Sequence, residues 1–236
     1  MELFYTANFE ENNYTLSEEE SNHCINVLRH RTSHSIAVTD GKGNLYEGII
    51  VDAHHKRCRI SVERTSPHTS LLPYLHIAIA PTKNIERLEW FIEKSTEIGI
   101  SEITLLLCQH SERKQVRLDR LEKILVSAMK QSGSLFLPVL NDLISLNNFV
   151  SYPHQAQKCI AHCNEGKRYP LFEKARSQAP IIVMIGPEGD FSPNEIELAL
   201  KNGFDAVTLG NSRLRTETAG MVACHTVHLM NEIQHV

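Results

Sequence analysis

The spacing of apolar residues changes character near residue 71. Before it, short alternating runs predict β-structure: residues 35–39 and 45–51 flank the turn-forming stretch Asp40-Gly41-Lys42-Gly43-Asn44, and residues 57–62 make a further strand. One helix is expected in this part. Ser17-Glu18-Glu19-Glu20 has the form of a capping box, in which the serine hydroxyl takes the Glu20 N–H while the Glu20 carboxylate reaches back. Cys24, Val27 and Leu28 then supply a narrow apolar stripe, which predicts a helix to about residue 28. Thr65-Ser66-Pro67-His68-Thr69-Ser70 has linker composition and divides the chain into domains at 1–70 and 71–236.

In the second part, apolar runs at 75–80, 103–108, 158–163, 181–185 and 206–209 alternate with helical patterns. That texture predicts an α/β fold with a largely parallel sheet covered on both faces. A helix from about residue 85 carries Leu88, Phe91, Ile92 and Ser95 on one face and should end at Gly99. Another runs over about 118–133 with Leu121, Leu125 and Ala128 inward. Ser192-Pro193-Asn194-Glu195 is a second capping box with proline at the first helical position, and Gly203 closes that helix. The last helix, about 217–233, is apolar over a wide arc that includes Ala219, Val222, Val227 and Met230. Such an arc suits either a contact with a second copy of the chain or burial within one subunit.

Composition sets few further limits. The chain has 236 residues, 42% hydrophobic and 22% charged, as in an ordinary globular protein. No apolar run approaches the roughly 20 residues that cross a bilayer. The start, Met1-Glu2-Leu3-Phe4-Tyr5, has no signal-peptide character, so a cytoplasmic location away from membranes is expected. The six cysteines are scattered, as suits reduced thiols. Cys159, His162 and Cys163 are too few for a zinc site, and Cys159, Ala161 and Cys163 alternate as one face of a strand, so no metal is expected. The net charge of −4 argues against a general nucleic-acid binder. Local charge differs: Arg29 and Arg31 fall together, Lys56, Arg57, Arg59 and Arg64 follow, and Arg113, Lys114, Arg117, Arg120 and Lys123 crowd one stretch. Solvated faces and an RNA footprint are both compatible with these groups.

Two strings carry the chemistry. Gly186-Pro187-Glu188-Gly189-Asp190-Phe191 and the segment from Leu209 through Gly210, Arg213, Leu214, Arg215, Thr216, Glu217 and Thr218 to Ala219 each follow a buried strand and lead into a helix. Strand-to-helix loops are where α/β proteins place ligands, and glycine there lets the backbone approach a flat ligand closely. Neither string is a phosphate cradle of the G-x-G-x-x-G or G-K-[ST] kind. Each alone could be a tight turn or a helix cap; together they read as one composite site.

The two strings resemble the signature of the RsmE-type methyltransferases, a branch of the SPOUT class. Further motifs in the same order extend the resemblance over nearly the whole chain. His23-Cys24-Ile25-Asn26-Val27-Leu28-Arg29 is similar to H-x-x-x-V-L-R; Lys83, Arg87, Glu89, Lys94, Glu97 and Gly99 fit K-x-x-x-R-x-E and K-x-x-E-x-G; Gln131-Ser132-Gly133 fits Q-S-G. The resemblance implies a small PUA-like β-barrel domain before a SPOUT-like α/β domain with a C-terminal trefoil knot, working as a homodimer. It also implies transfer of a methyl group from S-adenosylmethionine to N3 of a uridine in 16S rRNA, within the small ribosomal subunit. The alternatives are another RNA nucleotide as target, or a non-catalytic RNA-binding or assembly role.

The same resemblance implies a cofactor pocket of His162, Ile185, Gly186, Pro187, Glu188, Gly189, Leu209, Gly210, Leu214, Thr218 and Ala219. RNA would be held by Arg29, Arg31, Lys83, Arg87, Lys94 and Gln131, although Lys94 can equally pair with Glu93 or Glu97, and Arg87 with Glu89 or nearby helix carboxylates. Arg215 is the candidate for holding negative charge on the uracil or an adjacent phosphate, and Glu217 or Glu188 for the base, with helix capping the alternative for each carboxylate. Three places depart from the family pattern: Asp190 replaces a third glycine, Ser134 an arginine, and Asn211-Ser212-Arg213 a Pro-Arg-Ile.

Overall fold

A computed structural model describes residues 2–70, 73–175 and 179–233 of the chain. It divides into two compact units, Met1–Leu71 with Val126–Leu137, and Leu72–Leu125 with Pro138–Val236. Residues 126–137 thus group with the first unit, which a boundary read along the sequence does not reveal. Of the residues at that boundary, 71 and 72 lie outside the described set.

The first unit contains β1 (Leu3–Tyr5), α1 (Glu18–Asn22), β2 (Ser35–Thr39), β3 (Asn44–Asp52) and β4 (Arg59–Pro67), with the strands in the order β1-β2-β3-β4. β1 runs parallel to β2, whereas β2, β3 and β4 are antiparallel. Phe4, Phe9, Tyr46, Ile50 and Ile60 fill the core of this unit. Two expectations need correction. The stretch 65–67 is strand, not linker, because Leu45 and Asn44 pair with Ser66 and Pro67. The helix expected to residue 28 is α-helical only to Asn22 and continues as a π-helical turn over His23–Val27, where the Leu28 N–H reaches back to the His23 carbonyl. It stops at Arg29, whose φ of 59° breaks the helical path.

The first capping box is half made. The Ser17 hydroxyl accepts from the Glu20 N–H at 3.2 Å, but the Glu20 carboxylate turns away to meet Lys130 Nζ at 2.5 Å. Both partners are largely buried, and burial raises the Glu20 carboxyl above its usual range while Lys130 pulls it back. Lys130→Met would strand that carboxylate, so a loss of about 2 kcal/mol at neutral pH is expected. The folded state binds the Glu20 proton more tightly than the unfolded chain does, so stability falls as pH rises through the raised pKa. The deficit of the variant should therefore shrink in mild acid, as checked by urea unfolding at two pH values.

The second unit contains β5 (Leu75–Ile79), α2 (Ile85–Ile98), β6 (Glu102–Leu107), β7 (Val139–Ser145), α4 (Leu146–Ser151), β8 (Gln157–Ala161), β9 (Tyr169–Pro170), α5 (Leu171–Lys174), β10 (Ile181–Ile185), α6 (Pro193–Lys201), β11 (Asp205–Thr208) and α7 (Thr216–Ile233), while α3 spans Leu118–Ser132. The strands form one all-parallel sheet in the order β7-β6-β5-β10-β8-β11-β9. β5 and β10 are buried at every position, as their unbroken apolar runs require. Asn84 caps α2 and Gly99 ends it in the left-handed conformation; the Ser192–Glu195 capping box is complete in α6. β7, β9, α4 and α5 carry no clear pattern in the sequence: β7 is an edge strand broken by Asn141 and Asp142, and β9 has only two residues.

α7 packs on α2 and β5 through Gly220, Ala223, Cys224 and Val227. A Cβ on Gly220 would stand 2.6 Å from the Phe91 ring, so a glycine is required for the two helices to approach. This accounts for much of the wide apolar arc, and Leu229 and Ile233 remain exposed outside it. Among the described residues, no helix is long and apolar enough to cross a membrane.

Candidate active site

β10 and β11 are not neighbours, because β8 lies between them. Three loops therefore meet at the carboxyl edge of the sheet, where the two signature strings alone suggest a pair. β8 ends at Ala161, two residues before the predicted end, so Cys163 leaves the strand face and becomes exposed in the third loop. The three loops enclose a cleft of about 670 Å³. His162, Ile185, Gly186, Pro187, Glu188, Leu209, Gly210, Leu214, Arg215 and Ala219 line it. Gly189 and Thr218 do not: Gly189 packs against His110, 3.0 Å from where its Cβ would lie, and the wall position near Thr218 is taken by Thr216.

Sequence reasoning missed several wall residues, among them Thr208, Arg168 and Thr216. Thr216 sits inside the second string, where a hydroxyl beside a helix start reads as a cap. Here it donates instead to the Gly186 carbonyl at 3.1 Å and fastens α7 to the glycine loop. Arg168 lies in no motif and gave no signal. It donates to the His162 carbonyl at 2.8 Å.

The charged groups divide into held and free. Glu188 accepts the Lys83 N–H at 2.9 Å, and its carbonyl faces Arg213 at 3.5 Å. Glu217 is buried, with Oε1 3.8 Å from Arg87 Nε and Oε2 lacking a hydrogen-bond partner. Arg87 thus pairs with Glu217 and not with Glu89, which is taken by Arg120 at 2.6 Å. Arg215 lines the cleft, is exposed, and has no salt bridge among the described residues. His162 is buried with neither ring nitrogen hydrogen-bonded, and burial lowers its pKa below that of an ordinary histidine, which keeps the ring neutral at pH 7.

Glu217, Arg87 and the remaining candidates do not line the cleft. Lys83 pairs with Glu112 at 2.8 Å, and Lys94 lies between Glu93 and Glu97 at 2.7 and 2.8 Å, the ion-pair alternative for that residue. In the first unit Arg29, Arg31 and Gln131 are exposed. Ser134 makes a turn, with its hydroxyl accepting from the Phe136 N–H at 3.2 Å.

The sequence profile of an RNA methyltransferase domain matches residues 70–228, and that of an RNA methyltransferase PUA domain matches residues 16–63. The ribosomal RNA small subunit methyltransferase E of Synechocystis is 29% identical over 224 residues, covering 92% of this chain and 73% of that protein. The protein of the same name in Bacillus subtilis is 25% identical, covering 93% and 91%. Among solved structures, a probable rRNA-methyltransferase from Porphyromonas gingivalis is 38% identical with a TM-score of 0.90, covering 99% of this chain and all of that one (100%). The Neisseria gonorrhoeae ribosomal RNA small subunit methyltransferase E, bound to S-adenosyl methionine, is 27% identical with a TM-score of 0.84, covering 97% of each chain. With a parallel-sheet α/β unit, a PUA domain and matches that span nearly all of this chain, the chain belongs to the RNA methyltransferase family, in its ribosomal RNA small subunit methyltransferase E (RsmE) branch.

Proposed function

We propose that the chain transfers the methyl group of S-adenosylmethionine to N3 of a uridine in 16S rRNA, in the cytoplasm and within the small ribosomal subunit. In this reading the second unit is a SPOUT-like domain with a trefoil knot, the first closes as a barrel, and a homodimer forms on the apolar face of α7 where Leu229 and Ile233 are exposed. The observation that carries it is the unpaired Arg215 on the wall of a cleft built from three strand-end loops.

The cleft suits the cofactor. Its volume is in the range of sites for molecules of that size. Gly210, at φ 132°, leaves open space where a Cβ would stand, and the buried His162 ring nitrogens are unpartnered on the wall. Bound there, S-adenosylmethionine supplies a methyl group already activated by its sulfonium. The chain's own residues must then deal with the uracil, whose neutral N3–H is a poor nucleophile. Arg215 presents a planar pair of donors to the oxygens that gain charge as the N3 proton leaves. The partnerless Oε2 of Glu217, two residues from Arg215 at the start of α7, is the acceptor for that proton. Glu188, already bound to the Lys83 N–H, shapes the loop. Arg29, Arg31, Lys83, Arg87, Lys94 and Gln131 engage flanking RNA, chiefly at phosphates.

The test is transfer of labelled methyl from S-adenosylmethionine to small ribosomal subunits lacking the modification, followed by mass analysis of the digested nucleosides. N3-methyluridine is expected. A different methylated nucleoside would keep the enzyme class and move the target, and failure to bind the cofactor in calorimetry would reject the catalytic reading.

A further inference from the structure

Asp190 is a non-glycine residue with a positive φ of 64°, and every polar group it owns is engaged. Its N–H closes the glycine loop onto the Pro187 carbonyl at 2.9 Å, and its carbonyl faces His110 Nδ1 at 3.0 Å. Its carboxylate reaches in two directions. Oδ1 accepts the Phe191 N–H at 2.8 Å, within its own loop. Oδ2 accepts the Cys163 N–H at 2.8 Å and Asn164 Nδ2 at 3.3 Å, in the loop that follows β8. Asn164 completes the link by donating to the Phe191 carbonyl at 3.2 Å.

The peptide unit between His162 and Cys163 is therefore gripped at both ends. Asp190 takes its N–H and Arg168 donates to its carbonyl at 2.8 Å. That peptide sets the direction in which the His162 side chain leaves the backbone. Neither ring nitrogen has a hydrogen bond of ordinary geometry, and the Asn164 backbone beside the ring is the nearest group that could orient it. Its placement on the cleft wall thus depends on the backbone grip.

We infer that Asp190 is a positioning residue, which with Arg168 locks the His162–Cys163 peptide to the glycine loop and so preorganises the cofactor wall of the cleft. This rests on the reading of the cleft as the S-adenosylmethionine site. A left-handed backbone is strained for an aspartate, and a glycine would relieve that strain. The strain persists here together with a carboxylate that joins two loops, which is the arrangement expected when the side chain and not the turn is what the position needs.

The test compares Asp190→Gly, Asp190→Asn and Arg168→Ala with the wild-type full chain, by calorimetry with S-adenosylmethionine and by methyl transfer. Glycine fits the turn without strain, so Asp190→Gly should keep its melting temperature while losing the grip. Its Kd for S-adenosylmethionine should weaken about tenfold, the scale of one hydrogen bond to a charged group. KM for the cofactor should rise with it and kcat at saturation should hold. Asp190→Asn, which keeps an acceptor oxygen, should recover part of the affinity. Arg168→Ala should weaken binding similarly, and combining it with Asp190→Gly should cost less than the two changes added, since both hold one peptide. An unchanged Kd in Asp190→Gly, or a fall in kcat with KM unaltered, would overturn the inference. If the wild-type chain bound no S-adenosylmethionine, the reading of the cleft would fail and the inference with it.

Discussion

Arg215→Ala should reduce kcat for methyl transfer by about two to three orders of magnitude, the usual consequence of removing one preorganised donor from a developing negative charge. Cofactor affinity should change little. The reason lies in how Arg215 stands in the cleft: it lines the wall, is exposed, and has no salt bridge among the described residues, so its removal strands no buried partner. Its neighbours in the same loop have structural duties, Thr216 toward the Gly186 carbonyl and Arg213 toward the Glu188 carbonyl. Lysine at 215 would restore charge but not the planar fork, so Arg215→Lys should recover only part of the loss. Calorimetry with S-adenosylmethionine alongside single-turnover methyl transfer separates the two properties. Equal losses in both would remove Arg215 from the role proposed.

Gly186→Val should have the opposite profile, with cofactor binding weakened a hundredfold or more through about 3 kcal/mol of overpacking. Gly186 is buried where β10 ends, and a Cβ there would lie 3.1 Å from the Phe191 ring and 3.2 Å from the Phe191 backbone nitrogen. The ring could shift by a few tenths of an ångström. The backbone is less free, because the Phe191 N–H is bound to Asp190 and the Phe191 carbonyl to Asn164. The two methyls of valine would also crowd the loop against Thr216, which is bonded to the Gly186 carbonyl. Gly186→Ala should be intermediate. A Gly186→Val protein that folded and bound S-adenosylmethionine normally would show that the loop gives way more easily than these contacts imply.

The elements read best from sequence were those whose pattern is local. The buried runs of β5, β6, β10 and β11, the cap at Ser192 and the stop at Gly99 follow from periodicity and backbone chemistry within a few residues. Misreadings arose where a long-range partner intervened. Glu20 has the residue type and spacing for a reciprocal cap, yet its carboxylate goes to Lys130, 110 positions away, so half of the predicted cap is missing. Residues 65–67 look like a linker because their side chains are polar, while their backbone pairs with β3. β7 is interrupted by Asn141 and Asp142, whose polar side chains hide an edge strand from any apolar pattern.

The site divides in the same way. By itself the sequence determined that two glycine-bearing strand ends open onto helices, and that Arg215 and Glu217 stand beside them, because strand, turn and cap signals are short-ranged. Only the tertiary structure decided that β8 lies between β10 and β11, bringing Cys163 and Arg168 to the cleft beside His162, which the resemblance implies, since strand order depends on where the chain crosses over and not on any one segment. Fold likewise decided that Arg87 faces Glu217 and that Asp190 holds a peptide 27 positions earlier in the chain. Those contacts join residues that share no periodicity, and they form only when packing of the parallel sheet brings its carboxyl-edge loops together.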